Sequence, residues 1–92
     1  MNKNIEEMLE ALNNGGSADF CYDGVEYSLE PSYDSKGDLV FGEYCLWKSE
    51  KSGRNGTLVF KCKDLDSLFN TKTIQGKSVN DIADLITDIE LF

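Results

Sequence analysis

The 92 residues include no histidine. Histidine is the commonest general base of enzymes, and it activates serine and cysteine nucleophiles. The chain therefore cannot build a Ser-His or Cys-His catalytic arrangement by itself. Pairs of carboxylates can also transfer protons, but seventeen acidic residues bring such pairs together by chance. We expect a protein that is not an enzyme and has no catalytic residues.

Cysteine is scarce and irregularly spaced. Cys21, Cys45 and Cys62 are odd in number, and none belongs to a CxxC pair. Small secreted domains held by disulfides usually carry an even and denser set. A zinc site would need three sulfurs and a carboxylate together, whereas each cysteine lies in a run typical of a strand. We expect structural thiols, no metal and no other cofactor.

Long apolar runs are also missing. No stretch approaches the roughly 20 apolar residues that span a bilayer. The first residues, MNKNIEEMLEAL, carry acids where a signal peptide has a basic region followed by an apolar run. A chain of this length has room for one hydrophobic core. The expectation is a single cytoplasmic domain over residues 1–92, without membrane contact.

Basic residues are few, since nine stand against seventeen acidic ones and the net charge is −8. This charge disfavours binding to nucleic-acid phosphates or anionic lipids. Residues 48–77 hold seven basic and three acidic residues, whereas residues 78–92 hold four acidic residues and no basic one. A basic middle segment therefore separates two acidic ends.

The amino-terminal segment has the pattern of an amphipathic helix. Asn4 can cap it, with Glu7 in the position of a capping-box acid, and Gly15 and Gly16 end it. Four apolar residues follow the i, i+3, i+4, i+7 spacing of one helical face: Ile5, Met8, Leu9 and Leu12.

Asp23-Gly24 lies between alternating residues and predicts a β-hairpin with a two-residue loop. The loop pairs Tyr22 with Val25 and Phe20 with Tyr27. Pro31 ends the second strand of this hairpin. The aromatic residues Phe20, Tyr22 and Tyr27 on one face of the hairpin could line a small-ligand site, but regular alternation is more typical of a core. That face comprises Phe20, Tyr22, Val25, Tyr27 and Leu29.

The rest of the chain predicts two strands and two helices. Residues 39–47 are apolar on both faces, which is typical of a central or doubly covered strand. Residues 57–63 alternate and predict a fourth strand, and Asp64 can cap a short helix after it. The expected fold is an α+β two-layer sandwich: a four-stranded antiparallel meander covered by an N-terminal and a C-terminal helix, in the order α-β-β-β-β-α-α.

The last helix is expected over residues 78–92. Gly76-Lys77-Ser78 resembles a phosphate loop, but a Walker A motif needs a glycine where Thr71 stands. Gly76 more simply makes a turn, and Ser78 forms a capping box with Asp81. A helix there would bury one face, made of Val79, Ile82, Ala83, Ile86 and Ile89.

The segment KDLDSLFNTKTIQGKSVNDIADLITDIEL resembles the C-terminal part of small, uncharacterised proteins of Gram-positive bacteria, their phages and mobile elements. Those proteins place a Leu-rich turn before an Ile-x-Gly-Lys-Ser step and an acidic helix. The resemblance brings no known activity, and it implies a small acidic domain that acts by binding a partner. The matching residues are Leu68, Ile74, Gly76, Lys77, Ser78, Ile82, Asp88 and Ile89.

Our first hypothesis for function is a non-catalytic acidic interaction module. It would bind and inhibit or regulate a protein with a basic surface, such as a nucleic-acid-handling protein, through electrostatic steering. A charge that only keeps the domain soluble is an equally good explanation. The candidate partner-binding residues are Asp84, Asp88, Glu90, Glu6, Glu7 and Glu10.

The alternative is a nucleic-acid accessory protein that binds through the basic hairpin over residues 47–63. Basic residues interleaved with aromatic ones are typical of single-strand binders. Lysines also blunt exposed strand edges, and with a net charge of −8 this structural explanation is favoured. The candidate residues are Trp47, Lys48, Lys51, Arg54, Lys61 and Lys63.

Overall fold

The computed structural model describes residues 2–49 and 56–92, which form an α+β fold with two helices and one antiparallel sheet of five strands. The predicted fold class is therefore confirmed in outline, whereas the count of four strands is wrong. The elements are α1 (Lys3–Asn13), β1 (Ala18–Tyr22), β2 (Val25–Tyr33), β3 (Leu39–Lys48), β4 (Thr57–Cys62), α2 (Leu65–Asn70) and β5 (Thr87–Leu91).

The sheet order is β4-β3-β2-β1-β5, with every neighbouring pair antiparallel. The first four strands make the predicted meander. The fifth strand is a correction, because it lies where the sequence predicted the C-terminal helix. It pairs with β1, which would otherwise be an edge strand.

The β1–β2 hairpin has the predicted register, with Tyr22 opposite Val25 and Phe20 opposite Tyr27. Asp23 and Gly24 both have positive φ angles, 53° and 75°, as a type I′ turn requires. The rings of Phe20 and Tyr27 stack with centroids 5.5 Å apart and are buried. This aromatic face is therefore core, and it is not open to a small ligand.

One face of the sheet carries the hydrophobic core. Both helices and the chain between Ile74 and Ile86 pack on that face, together with the buried positions of the strands. The predicted helical face is confirmed, because Ile5, Met8 and Leu12 are buried and Leu9 packs against the core.

The cap of α1 differs from the prediction. The side chain of Asn2 accepts hydrogen bonds from the backbone N–H groups of Asn4, at 2.8 Å, and Ile5, at 3.4 Å. Asn4 instead donates from its side chain to the carbonyl of Ala83, at 3.0 Å. Asn2 therefore caps the helix, and Asn4 connects its first turn to the chain before β5. Glu7 is not the capping-box acid, and it lies 4.0 Å from Lys3.

The capping box at Ser78 forms, but no regular helix follows it. Asp81 accepts from the Ser78 backbone N–H at 2.9 Å, and its own N–H donates to the Ser78 hydroxyl at 3.1 Å. Residues 79–85 then form turns that bury Ile82 and Ala83 as predicted. The helical spacing thus described burial correctly, while pairing with β1 determined the conformation of β5.

The β2–β3 pair contains a bulge that the sequence did not predict. Pro31 lies opposite Tyr44, and the next residue of β2 lies opposite Val40. Proline lacks a backbone N–H and is tolerated at bulges, so the strand continues past Pro31 to Tyr33. Gly42 has a φ angle of 75° within the bulge.

The prediction that residues 39–47 form a central or doubly covered strand is only partly correct. The strand is central, since it pairs with both β2 and β4, and Leu46 is buried. Its first half is exposed, and Phe41 projects from the bulge with 96% of its surface accessible. The apolar run therefore serves two purposes, core packing at one end and an exposed apolar patch at the other.

The cysteines are all free thiols, as their spacing predicted. Cys45 is buried, while Cys21 and Cys62 are half-buried. Burial raises the pKa of the Cys62 thiol. Burial also raises the pKa of the Cys21 thiol, and the nearby carboxylates of Asp88 and Glu26 raise it further. Both half-buried thiols are therefore protonated at neutral pH and poorly reactive.

Candidate functional site

The second face of the sheet is covered by no helix or strand among residues 2–49 and 56–92. Side chains alternate between the faces of a strand, so the residues between the core positions point to this side. Six of them are carboxylates, and we call this surface the acidic sheet face. Its carboxylates belong to Asp19, Glu26, Glu30, Glu43, Asp88 and Glu90.

Strand register places a row of side chains across this face. Glu90 lies opposite Asp19, Asp19 opposite Ser28, and Ser28 opposite Trp47. The Ser28 hydroxyl donates to the Asp19 carboxylate at 2.5 Å. The row thus runs from carboxylates at the β5 side to an indole ring near β4. Cationic side chains bind both carboxylates and the faces of indole rings.

Glu30 lies in the crowded centre of the acidic sheet face. Burial raises the pKa of its carboxyl group, and repulsion from Asp19 raises it further, while the indole N–H of Trp47 counteracts this rise. That N–H is buried and makes no hydrogen bond of standard geometry within the described part of the chain. The hydrogen-bond donors at the centre of this face therefore do not fully stabilise the negative charge of Glu30.

Among the described residues, the positive charge on this face lies at its β4 end. Lys61 forms an ion pair with Glu43, with Nζ and Oε1 2.9 Å apart. This hydrogen bond, another from Ser32 and the charge of Lys63 lower the pKa of Glu43. The face is therefore internally neutralised near β4, whereas its carboxylates near β5 have no lysine beside them in the described ion pairs.

The structure divides the predicted acidic set between two regions. Asp88 and Glu90 lie on the acidic sheet face, with the Asp88 side chain against Cys21. Asp84 instead accepts a hydrogen bond from the Asn2 side chain at the start of α1. The other three predicted residues, Glu6, Glu7 and Glu10, lie on α1.

Two of these helical residues border the free edge of β5. A groove of about 320 Å³ lies between helix and strand, and it is lined by Glu7, Glu10, Ala11, Asn14 and Leu91. Leu91 faces the helix side of the sheet, because it lies opposite the buried Ala18. Strand β5 therefore has carboxylates on both of its sides.

Sequence reasoning missed the four carboxylates that β1, β2 and β3 contribute to the acidic sheet face. The alternating pattern of the hairpin could have identified the carboxylates of β1 and β2, because residues between core positions must share the opposite face of the sheet. The missing information was that neither of the two described helices covers that face. The missed residues are Asp19, Glu26, Glu30 and Glu43.

The predicted nucleic-acid patch does not form one surface among the described residues. Trp47 and Lys61 point to the acidic sheet face, whereas Lys48 lies opposite the core residue Tyr27 and so points to the other face. Lys63 is exposed just beyond β4. The two remaining predicted residues, Lys51 and Arg54, lie outside the described residues.

A second groove lies at the far end of the β2–β3 hairpin, beyond the end of α1. Its apolar lining includes Leu12, Pro31, Leu39 and Tyr44, with the exposed Phe41 beside them. Burying a phenylalanine side chain fully is worth roughly 1.5–3 kcal/mol. Phe41 is the most exposed of the large apolar residues in the described part of the chain.

Comparison with protein-family models, curated proteins and solved structures finds no match. The resemblance of the last third to phage and mobile-element proteins therefore stays a prediction. Among the described residues, no three potential ligands come together as a metal site would require. None of the helices in that part of the chain has the length and apolarity to cross a bilayer.

Proposed function

We propose that this chain is a non-catalytic interaction module that binds a basic protein through the acidic sheet face. The observation that carries the proposal is a sheet face with six carboxylates that no described helix or strand covers, and whose described lysines lie at its β4 end. Charges arranged in this way steer a positively charged partner and align it on the surface. A charge distribution that served solubility alone would need no such segregation.

The centre of the face supports the same proposal. Glu30 is held with a raised pKa by burial and by Asp19, so its charge is poorly compensated within the domain. A lysine or arginine side chain would stabilise that charge and could stack on Trp47. We therefore expect the partner to insert a cationic side chain near Asp19, Glu30 and Trp47.

The proposed partner class is a basic protein that handles nucleic acid, as expected from the sequence. Covering its basic surface would compete with phosphate binding and so inhibit or regulate it. In this proposal the charges of Glu6 and Asp84 serve solubility and local structure, because both lie away from the sheet face.

The test is NMR mapping of a short peptide of alternating lysine and serine on the isotope-labelled full chain. We expect shifts concentrated at Asp19, Ser28 and Trp47, which high salt suppresses. The double variant Glu26→Lys with Glu90→Lys should weaken binding by about 10-fold or more. Shifts spread evenly over the surface would contradict the proposal.

The matched control is Glu6→Lys with Asp66→Lys, which changes the net charge by the same amount at exposed helical positions. This control should weaken binding by less than about 3-fold, through long-range charge alone. Equal losses in both double variants would mean that only net charge matters. If single-stranded DNA instead shifts the NMR resonances of Trp47 and Lys61, the nucleic-acid alternative is favoured.

A further inference from the structure

The free edge of β5 has hydrogen-bonding groups that the sheet leaves unused. Ser17 and Phe92 exchange two backbone hydrogen bonds, at 2.9 and 3.4 Å. In an antiparallel ladder such pairs alternate with pairs whose N–H and C=O groups point away from each other. Leu91 lies opposite Ala18 in the next position, so its N–H and C=O point outward from the sheet.

This alternation is regular from Glu90 to Phe92, because the register of β5 against β1 shifts between Asp19 and Cys21. No strand or helix pairs with this edge in the described part of the chain, where β5 has β1 as its strand neighbour. An edge of this kind accepts an added strand by main-chain hydrogen bonds. Affinity then depends on what lies above and below the edge.

Both sides of this edge are acidic. On the helix side, Glu7 and Glu10 line the groove that contains Leu91. On the other side, Glu90 and Asp88 belong to the acidic sheet face. A strand added to β5 would place successive side chains alternately on these two sides. Basic side chains on either side of the added strand would therefore have carboxylates within reach.

Leu91 adds an apolar surface between these charges, since the residue is 44% exposed. Lysine and arginine have long aliphatic stems that pack on such a surface while their charged ends reach carboxylates. The groove therefore suits extended basic residues better than compact acidic or purely apolar ones.

We propose that β5 is a docking edge for an extended Lys/Arg-rich segment of the partner, which adds to the sheet as a sixth, antiparallel strand. This inference rests on the proposed function, and it specifies how the partner is held. Main-chain hydrogen bonds to the outward N–H and C=O of Leu91 would fix the register. Glu7 and Glu10 on one side and Asp88 and Glu90 on the other would select the basic side chains.

The test uses the peptide Lys-Thr-Lys-Thr-Lys and the same peptide N-methylated at alternate residues, with the full chain. N-methylation keeps the charge but removes the main-chain donors that strand addition needs. We expect about 10-fold weaker binding of the methylated peptide. We also expect the unmethylated peptide to slow amide exchange at Leu91.

Leu91→Pro removes the outward N–H without removing a hydrogen bond to β1. It should weaken binding of the unmethylated peptide by a similar factor. Leu91→Ala is the matched control, because it keeps the N–H, and it should weaken binding by less than about 3-fold. Slow amide exchange at Phe92, whose N–H donates to the Ser17 carbonyl, would establish that β5 stays in place in Leu91→Pro.

The outcomes separate the two proposals. If the methylated peptide binds equally well, and binding is still lost in Glu26→Lys with Glu90→Lys, strand addition is overturned while the proposed function stands. If neither peptide binds in low salt, both are overturned. Self-association would also overturn the basic-segment proposal. It would appear as an apparent mass that rises with protein concentration, together with broadened resonances in both β4 and β5. These observations would show that a second copy of the chain occupies the edge.

Discussion

The two edge strands of the sheet differ in the charged side chains beside them. At the β4 edge, Lys61 and Lys63 are basic, and a register shift between Leu46 and Trp47 leaves an extra residue in the strand. At the β5 edge, the neighbouring carboxylates are acidic on both sides of the strand. Lysines and bulges are common means of preventing edge strands from pairing with other chains. The β4 edge therefore has the features of a protected edge.

The β5 edge is only partly irregular. Asp88 has a φ angle of 53° and lies at a bulge opposite β1, but the ladder is regular from Glu90 to the pair of Ser17 with Phe92. Its charge repels other copies of this acidic chain while attracting a basic one. The difference between the edges indicates that charge can leave one edge open to a chosen class of partner.

The largest expected effect comes from detaching β5. A Cβ atom at Gly16 would lie 1.8 Å from the carbonyl oxygen of Phe92, so Gly16→Ala must displace the end of β5. We expect a loss of about 2–3 kcal/mol in the free energy of unfolding. Hydrogen exchange should accelerate in β5 and stay slow in β3, and the Lys-Thr peptide should no longer bind.

Gly15→Ala is the control for that variant. Gly15 has a φ angle of 84°, but a Cβ there would contact nothing within 4 Å. Its cost is the left-handed backbone strain of about 1–2 kcal/mol, without displacement of β5. Similar exchange rates in β5 for the two variants would contradict the close packing of Gly16 on Phe92.

The hairpin was predictable because its signals are local. Asp23-Gly24 specifies a turn that only positive φ angles satisfy, and the alternation of Phe20 and Tyr27 around it fixes the register. The short helix after Asp64 was predictable for the same reason, since Asp64 accepts a hydrogen bond from the Ser67 N–H at 2.6 Å. These features depend on a few neighbouring residues.

The last strand was not predictable in this way. Val79, Ile82 and Ile86 satisfy a helical spacing, and the capping box at Ser78 is real. The decisive interaction is pairing with β1, almost seventy residues earlier in the chain, and no local pattern reports it. The candidate site was missed in part for the same reason, because Asp19 joins Glu90 only through that pairing.

A smaller effect is expected at the turn that leads into β5. Ser78→Ala removes the hydroxyl that accepts from the Asp81 N–H, and it should cost about 1 kcal/mol of unfolding free energy. Chemical denaturation of the full chain at neutral pH measures this loss. The variant should leave β4 exchange unchanged, because the lost hydrogen bond lies in the chain before β5.

The same turn gives a pH dependence. The Ser78 backbone N–H, then Lys72 at 3.0 Å, lower the pKa of Asp81 to about 2, from an ordinary value of 3.8. A lowered acid pKa contributes stability above 3.8 that is lost as the pH falls towards 2. Asp81→Asn should therefore flatten the decline in stability across this range. An unchanged acid denaturation curve would contradict this contribution.

A still smaller effect tests whether charge alone determines which edge strand binds a basic peptide. Lys61→Glu breaks the ion pair with Glu43 and makes the β4 end of the sheet acidic. We expect the Lys-Thr peptide to remain at β5 with its affinity changed by less than about 3-fold, because the β4 bulge still disrupts strand pairing. Peptide-induced shifts that appear in β4 would show that charge outweighs edge geometry.

The smallest expected effect is a change in the titration of Glu30. Asp19→Asn removes the repulsion that adds to burial in raising the Glu30 pKa, so that pKa should fall towards its ordinary value while burial keeps it raised. Carboxyl NMR titration measures the change. A raised acid pKa means that Glu30 loses its charge first as the pH falls, so cationic peptide binding to the unsubstituted chain should weaken before ordinary carboxylates titrate. In Asp19→Asn that weakening should begin at lower pH. An unshifted Glu30 titration would mean that burial alone sets its pKa, and that the carboxylates near β5 do not act on the centre of the face.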